Sequence, residues 1–83
     1  KMLKNIKLRT EAEPTGRLLP APYTDFSVAE DGEEYQSEWS AEGEDLVNGE
    51  AVRVFWIQSQ IKGEELDPDR LDWENTVDRV EYL

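Results

Sequence analysis

Four large apolar residues, Val54, Phe55, Trp56 and Ile57, fall on consecutive positions at one place in the chain, within Ala51–Gln60, AVRVFWIQSQ. Its β-branched and aromatic residues predict a strand. Val52, Val54 and Trp56 point one way, Phe55 and Ile57 the other. A strand that is apolar on both faces is central to a sheet and covered on both sides.

Alternation predicts the other elements. Met2–Thr10 places Met2, Ile6 and Leu8 on one face, with Leu3, Asn5, Lys7 and Arg9 mostly on the other. Lys4 interrupts the apolar face, which suits an edge strand. Glu11–Asp25 contains Pro14, Gly16, Pro20 and Pro22, which rule out a regular element. Leu18, Leu19 and Tyr23 ride on that loop, as a lid or as a recognition surface. Phe26–Glu30 reads as a short strand, turned by Asp31-Gly32 into a return strand over Glu33–Ala41. Glu42–Asp45, around Gly43, reads as a bulge or loop. Asn48-Gly49 is the strongest hairpin signal and leads into the central strand. Lys62-Gly63 turns the chain again. Asp67-Pro68-Asp69 predicts one capped helical turn. Thr76–Leu83 alternates as the last strand.

Together these elements predict an all-β fold, a five-stranded antiparallel meander with one short helical turn before the last strand. The order is similar to that of SH3-like small barrels, where the first and last strands meet; a half-open sheet is the alternative. The resemblance is topological and implies no function. Residues 1–83 make a single domain by length.

Composition narrows the chemistry. There is no cysteine and no histidine. Disulfides, thiolate chemistry and Cys-ligated zinc are excluded, and the commonest general base and metal ligand are missing. No stretch approaches a membrane span and no signal-peptide pattern is visible, so a cytoplasmic location is expected. Asp67, Asp69, Asp72 and Glu74 resemble a calcium loop only superficially. They lack its central glycine, and Arg70 sits among them. No metal and no cofactor are expected. The serines lie outside any nucleophile context, and a pair of carboxylates needs a cleft to act as acid and base. The chain is therefore expected not to be an enzyme. Trp39, Trp56 and Trp73 are expected in the core, Trp73 at one end of the barrel.

Charge is the strongest signal. The formal net charge is −11. It is +2 over residues 1–25, −9 over 26–50 and −4 over 51–83. The middle third has no lysine or arginine. Its acidic members are Glu30, Asp31, Glu33, Glu34, Glu38, Glu42, Glu44, Asp45 and Glu50. Such a field repels nucleic acid and anionic membranes and draws basic partners. Alternate residues on a strand are ~6.6–6.8 Å apart, close to the ~7 Å between neighbouring phosphates of one DNA strand. Glu34, Glu38 and Glu42 alternate with Tyr35 and Trp39 and are expected to face solvent.

These nine residues are the expected partner-binding site. The function they suggest is that of a nucleic-acid mimic, an inhibitor that occupies the basic DNA- or RNA-binding groove of a partner protein. In size and charge the chain resembles small acidic inhibitors of phages and mobile elements, some anti-CRISPR and anti-restriction proteins among them. The alternative is a small SH3-like interaction module or assembly subunit, binding through its aromatic residues and the proline-rich loop. Solubility and adaptation to high salt would produce the same composition without a binding site.

Overall fold

The computed structural model describes residues 4–83; Met2 and Leu3 of the expected first strand lie outside the described residues. Five antiparallel strands form one sheet: β1 (Ile6–Leu8), β2 (Glu13–Pro14), β3 (Glu34–Asp45), β4 (Ala51–Ile61) and β5 (Val77–Tyr82). A single 3₁₀ turn, Pro68–Arg70, precedes β5. Asp67 caps it by accepting from the Asp69 amide at 3.1 Å, and Pro68 opens it.

The frame is the long β3–β4 hairpin, paired from Glu34↔Ile61 to Glu44↔Ala51. Asn48-Gly49 turns it. Gly49 has φ 76°, which glycine adopts without steric cost, and its amide donates to the Asp45 carbonyl at 2.7 Å. Leu46 and Val47 belong to this turn and are exposed; they do not resume a strand. The expected bulge at Glu42–Asp45 is absent, because β3 runs unbroken through it. Gly43 serves another purpose. A Cβ there would lie 2.8 Å from the Lys7 carbonyl oxygen, so glycine lets β1 come close enough to pair.

The sheet is open. The main strand order is β1-β3-β4-β5, which puts the first and last strands on opposite edges. The barrel is not formed, and the reason lies at the outer edge of β3. That edge is occupied by β1, by β2 and by lone backbone bonds: the Arg9 and Thr15 amides donate to β3, and the Gln36 amide of β3 donates to the Thr24 carbonyl. β3 pairs β4 without a bulge, and the sheet's one register shift among the described residues lies where β4 pairs β5, between Phe55 and Trp56.

The five strands are not the five expected. Phe26–Glu30 is a series of turns. The Asp25 carboxylate takes the Ser27 amide at 2.8 Å and the Ser27 hydroxyl, and the Val28 amide bonds the Asp25 carbonyl. Such side-chain capture competes with strand pairing. The fifth strand comes from the proline-rich loop, where Glu13–Pro14 pairs with Ser40 and Trp39. Proline is tolerated because an outermost strand has no second neighbour to bond.

One sheet face is apolar. Trp39, Ala41, Val52, Val54 and Trp56 are buried there, with Ile6, Ala12, Leu71, Trp73, Val77 and Val80 packed against them. Trp73 meets Trp39 and Trp56 edge-on, at ring-centroid distances of 5.6 and 5.2 Å. It thus covers the middle of an open face, not a barrel end. Each indole N–H has an acceptor: Ser37 Oγ for Trp39, the Trp73 carbonyl for Trp56 and the Pro68 carbonyl for Trp73. Paired polar atoms let large aromatic surfaces be buried without loss.

Candidate functional site

The nine acidic residues divide into two groups along β3. In the second half every carboxylate has a partner. Glu38 is only 3% exposed. It accepts from Arg17 Nη2 at 2.7 Å, Arg17 Nε at 2.9 Å, Thr15 Oγ1 at 2.8 Å and Arg79 Nη1 at 3.2 Å. Glu42 pairs with Arg53 and Glu44 with Arg9, both at 3.2 Å. Asp45 is buried, where it accepts from the Tyr82 hydroxyl at 2.6 Å and the Val47 amide at 2.8 Å.

The expectation that Glu38 faces solvent is therefore corrected. It does lie opposite Trp39 on the strand, but that second face is also covered. Phe55 is buried beside it, with the Arg79 guanidinium 3.9 Å above the ring. Arg17 comes from the proline-rich loop and Arg79 from β5. Two cations from distant segments thus converge on one glutamate. Burial alone would raise the Glu38 pKa. The hydrogen bonds from Arg17, Thr15 and Arg79 outweigh it and hold the carboxyl below its ordinary range. The hydroxyl of Tyr82 chiefly lowers Asp45, and Asp45 in return raises Tyr82.

The first group is different. Glu30, Asp31, Glu33 and Glu34 have no lysine or arginine in ion-pair reach among the described residues, and Glu50 at the opposite end of the hairpin has none either. Backbone bonds tie the 30–34 stretch to the end of β4: Gly32 donates to the Lys62 carbonyl and Lys62 to the Glu33 carbonyl, both at 2.9 Å. Gly63 packs beside Asp31. This brings Glu64 and Glu65, both exposed, to the same end. Neither was among the expected site residues. The signal was present in the register, because Glu34 lies opposite Ile61 and the next turn must fold back there. The nearby Lys62 ammonium is turned inward. It donates to the Ala29 carbonyl at 2.7 Å and the Phe26 carbonyl at 3.2 Å, and lies 4.3 Å from the centre of the Phe26 ring.

Beside this acidic end a groove of about 250 Å³ runs between the proline-rich loop and the sheet. Leu18, Phe26, Tyr35, Trp39 and Leu66 line it. Leu19 is buried and adds nothing to the surface, whereas Leu18 and Phe26 are 67% and 56% exposed. Among the described residues no group of three or more Asp, Glu, Cys or His could hold a metal ion. In the Asp67–Glu74 stretch the side chains cap turns: Asp72 accepts from the Glu74 and Asn75 amides, and Asp67 meets Arg70 at 3.7 Å. No described helix is long and apolar enough to cross a membrane.

The chain matches no protein-family model, no curated protein and no solved structure.

Proposed function

We propose that this is a non-enzymatic acidic binding protein that docks on a basic protein surface, by preference a nucleic-acid-binding groove, as a mimic and inhibitor. The observation that supports this reading is the collection of Glu30, Asp31, Glu33, Glu34, Glu64 and Glu65 at one end of the hairpin, with no basic side chain in ion-pair reach among the described residues. The body is elongated, 44 × 25 × 19 Å, so one end can enter a groove while the rest stays outside. A regular ladder of carboxylates along β3 is not part of the reading, since Glu38, Glu42 and Glu44 are held by arginines. The gain on docking is steered association and release of counterions from the partner's groove. A cytoplasmic setting, where many such partners work, suits it.

The test is capture of partners from a lysate of the source cells, at ~50 and ~200 mM salt, with DNA or RNA as competitor. Binding is expected to weaken steeply between those concentrations, since exposed charge contacts are screened. Charge reversal of Glu30, Glu34 and Glu64 to lysine should abolish it. A triple variant that still competes fully with nucleic acid would reject the acidic end as the contact. A phage or mobile-element origin for the inhibitor is the natural corollary.

A further inference from the structure

The end of the hairpin carries a second unusual feature. A hydrogen-bond chain runs across β3 and β4: the Trp39 indole donates to Ser37 Oγ at 2.8 Å, and Ser37 Oγ donates to Gln60 Oε1 at 3.0 Å. The chain stops there. Gln60 Nε2 is buried and has no acceptor. A buried amide N–H₂ without a partner costs on the order of 1–3 kcal/mol relative to a satisfied one. Native proteins rarely leave such a group without a purpose or a ligand.

Gln60 lines the apolar groove described above, together with Leu18, Phe26 and Leu66, which remain exposed. It also lines the adjoining hollow, whose rim carries Glu64 and Glu65. Asp25 stands on the groove's other wall. Of the cations nearby, Arg17 is held by Glu38, Lys62 is turned to the Ala29 and Phe26 carbonyls, and the exposed Arg70 lies 3.7 Å from Asp67. The groove therefore combines apolar walls, a glutamine with one buried unanswered donor, and a rim of carboxylates.

We propose that this groove receives an extended basic segment of the partner protein, seating one large aliphatic side chain between Leu18, Phe26 and Leu66. The half-buried Gln60 side chain turns toward the groove and donates from Nε2 to a backbone carbonyl of that segment. Lysine or arginine residues on either side of the anchor meet Asp25, Glu64 and Glu65. The inference rests on the acidic-end reading and adds to it the chemistry that gives selectivity. Charge alone accepts any basic surface; a pocket with a donor at fixed depth accepts only a segment with an apolar residue in register.

The probe is an acetylated, amidated pentapeptide with leucine at its centre and two basic residues on each side. A second peptide has serine in place of the leucine. Both are titrated into the isotope-labelled full chain and followed by NMR. The leucine peptide should bind at least about tenfold more tightly, the effect of burying one aliphatic side chain. The Gln60 side-chain amide and the Trp39 indole signals should move with it. Gln60→Met removes the donor at similar length, and Gln60→Glu keeps the acceptor for Ser37 while lacking the N–H₂. In both, the advantage of leucine over serine should fall about threefold to tenfold, with melting curves showing that the fold is kept. Equal affinity for the two peptides would overturn the groove while leaving the acidic end intact. Failure of both to bind would overturn it too, and the lysate capture then judges the acidic end by itself.

Discussion

Glu34 and Glu38 lie four residues apart on the same face of the same strand, and their surroundings are opposite. Glu34 is exposed and has no cation within ion-pair reach among the described residues. Glu38 is buried between two arginines and a threonine. The difference comes from what each half of β3 has beside it. Around Glu38 the strand is flanked on both sides: by β2 with its following residues on one, and by β4 and then β5 on the other. Those neighbours bring Arg17 and Arg79. Around Glu34 only β4 pairs, and the nearby Lys62 is turned inward. A uniform run of acidic residues is thus divided by pairing into a structural part and an available part. Net charge does not reveal that division.

The largest effect is expected where the paired half of β3 meets the apolar core. Trp56 lies opposite Trp39 in the register, is fully buried and donates to the Trp73 carbonyl. Trp56→Ala should cost about 3–5 kcal/mol in chemical unfolding. The matching truncation at the available end, Tyr35→Ala, should cost clearly less, because Tyr35 is only half-buried. Equal losses would mean that the two halves are not energetically distinct.

Glu38 itself is the next probe. Glu38→Gln keeps the shape and removes the charge that Arg17 and Arg79 converge on. The arginines are partly exposed, so water takes over some of their interaction. A loss of about 1–3 kcal/mol is expected. The pH dependence has a definite sign. Because the folded-state pKa of Glu38 is lowered, its contribution is fully present above the ordinary carboxyl value of 4.5 and is lost as pH falls through the folded value. Thermal melts of the wild type should therefore decline below about pH 4.5. The decline should be shallower in Glu38→Gln. Identical acid limbs would show that Glu38 is not held as described.

Gly43→Ala addresses why the paired half is paired at all. A Cβ at that position would press on the Lys7 carbonyl and on Ile6. β1 is only three residues long and has little else to hold it. The net cost should be about 1–2 kcal/mol, overpacking less the helpful loss of glycine's freedom in the unfolded chain. Hydrogen exchange should locate the damage in β1, with β4 and β5 still protected.

Some of this was legible in the sequence and some was not, for identifiable reasons. Ala51–Gln60 is the central strand because its residue types leave few alternatives, and Asn48-Gly49 turns the hairpin because glycine supplies the positive φ. The 3₁₀ turn followed from its cap and proline. Phe26–Glu30 alternates as a strand does, but the Asp25 side chain competes and fixes a turn locally. A glycine at 43 suggests a bulge or loop over Glu42–Asp45, whereas its lack of a Cβ serves a neighbouring strand. Among the candidate site residues, the cluster at 30–34 was visible as charge. The burial of Glu38 was not, because Arg17 and Arg79 are 21 and 41 residues away in sequence. Glu64 and Glu65 were overlooked because they follow the central strand, outside the acidic third, and only the hairpin register returns them to it.

The smallest expected effect on stability decides most about function. Glu34→Lys reverses a charge at an exposed position with no ion pair to lose among the described residues. Such substitutions usually change stability by ~0.5 kcal/mol or less, and relief of repulsion among Glu30, Asp31, Glu33 and Glu34 acts in the stabilising direction. Unchanged or slightly raised unfolding midpoints are therefore expected, most visibly at low salt where the repulsion is least screened. Glu38→Lys places a third cation between Arg17 and Arg79 and should unfold the face it sits on. The pair of variants separates the two roles of acidity within one strand. A Glu34→Lys protein that folds normally yet no longer competes with nucleic acid for its partner would assign that charge to binding. If Glu34→Lys instead destabilises the chain as Glu38→Lys does, the acidic end is part of the scaffold, and the division of β3 into structural and available halves is wrong.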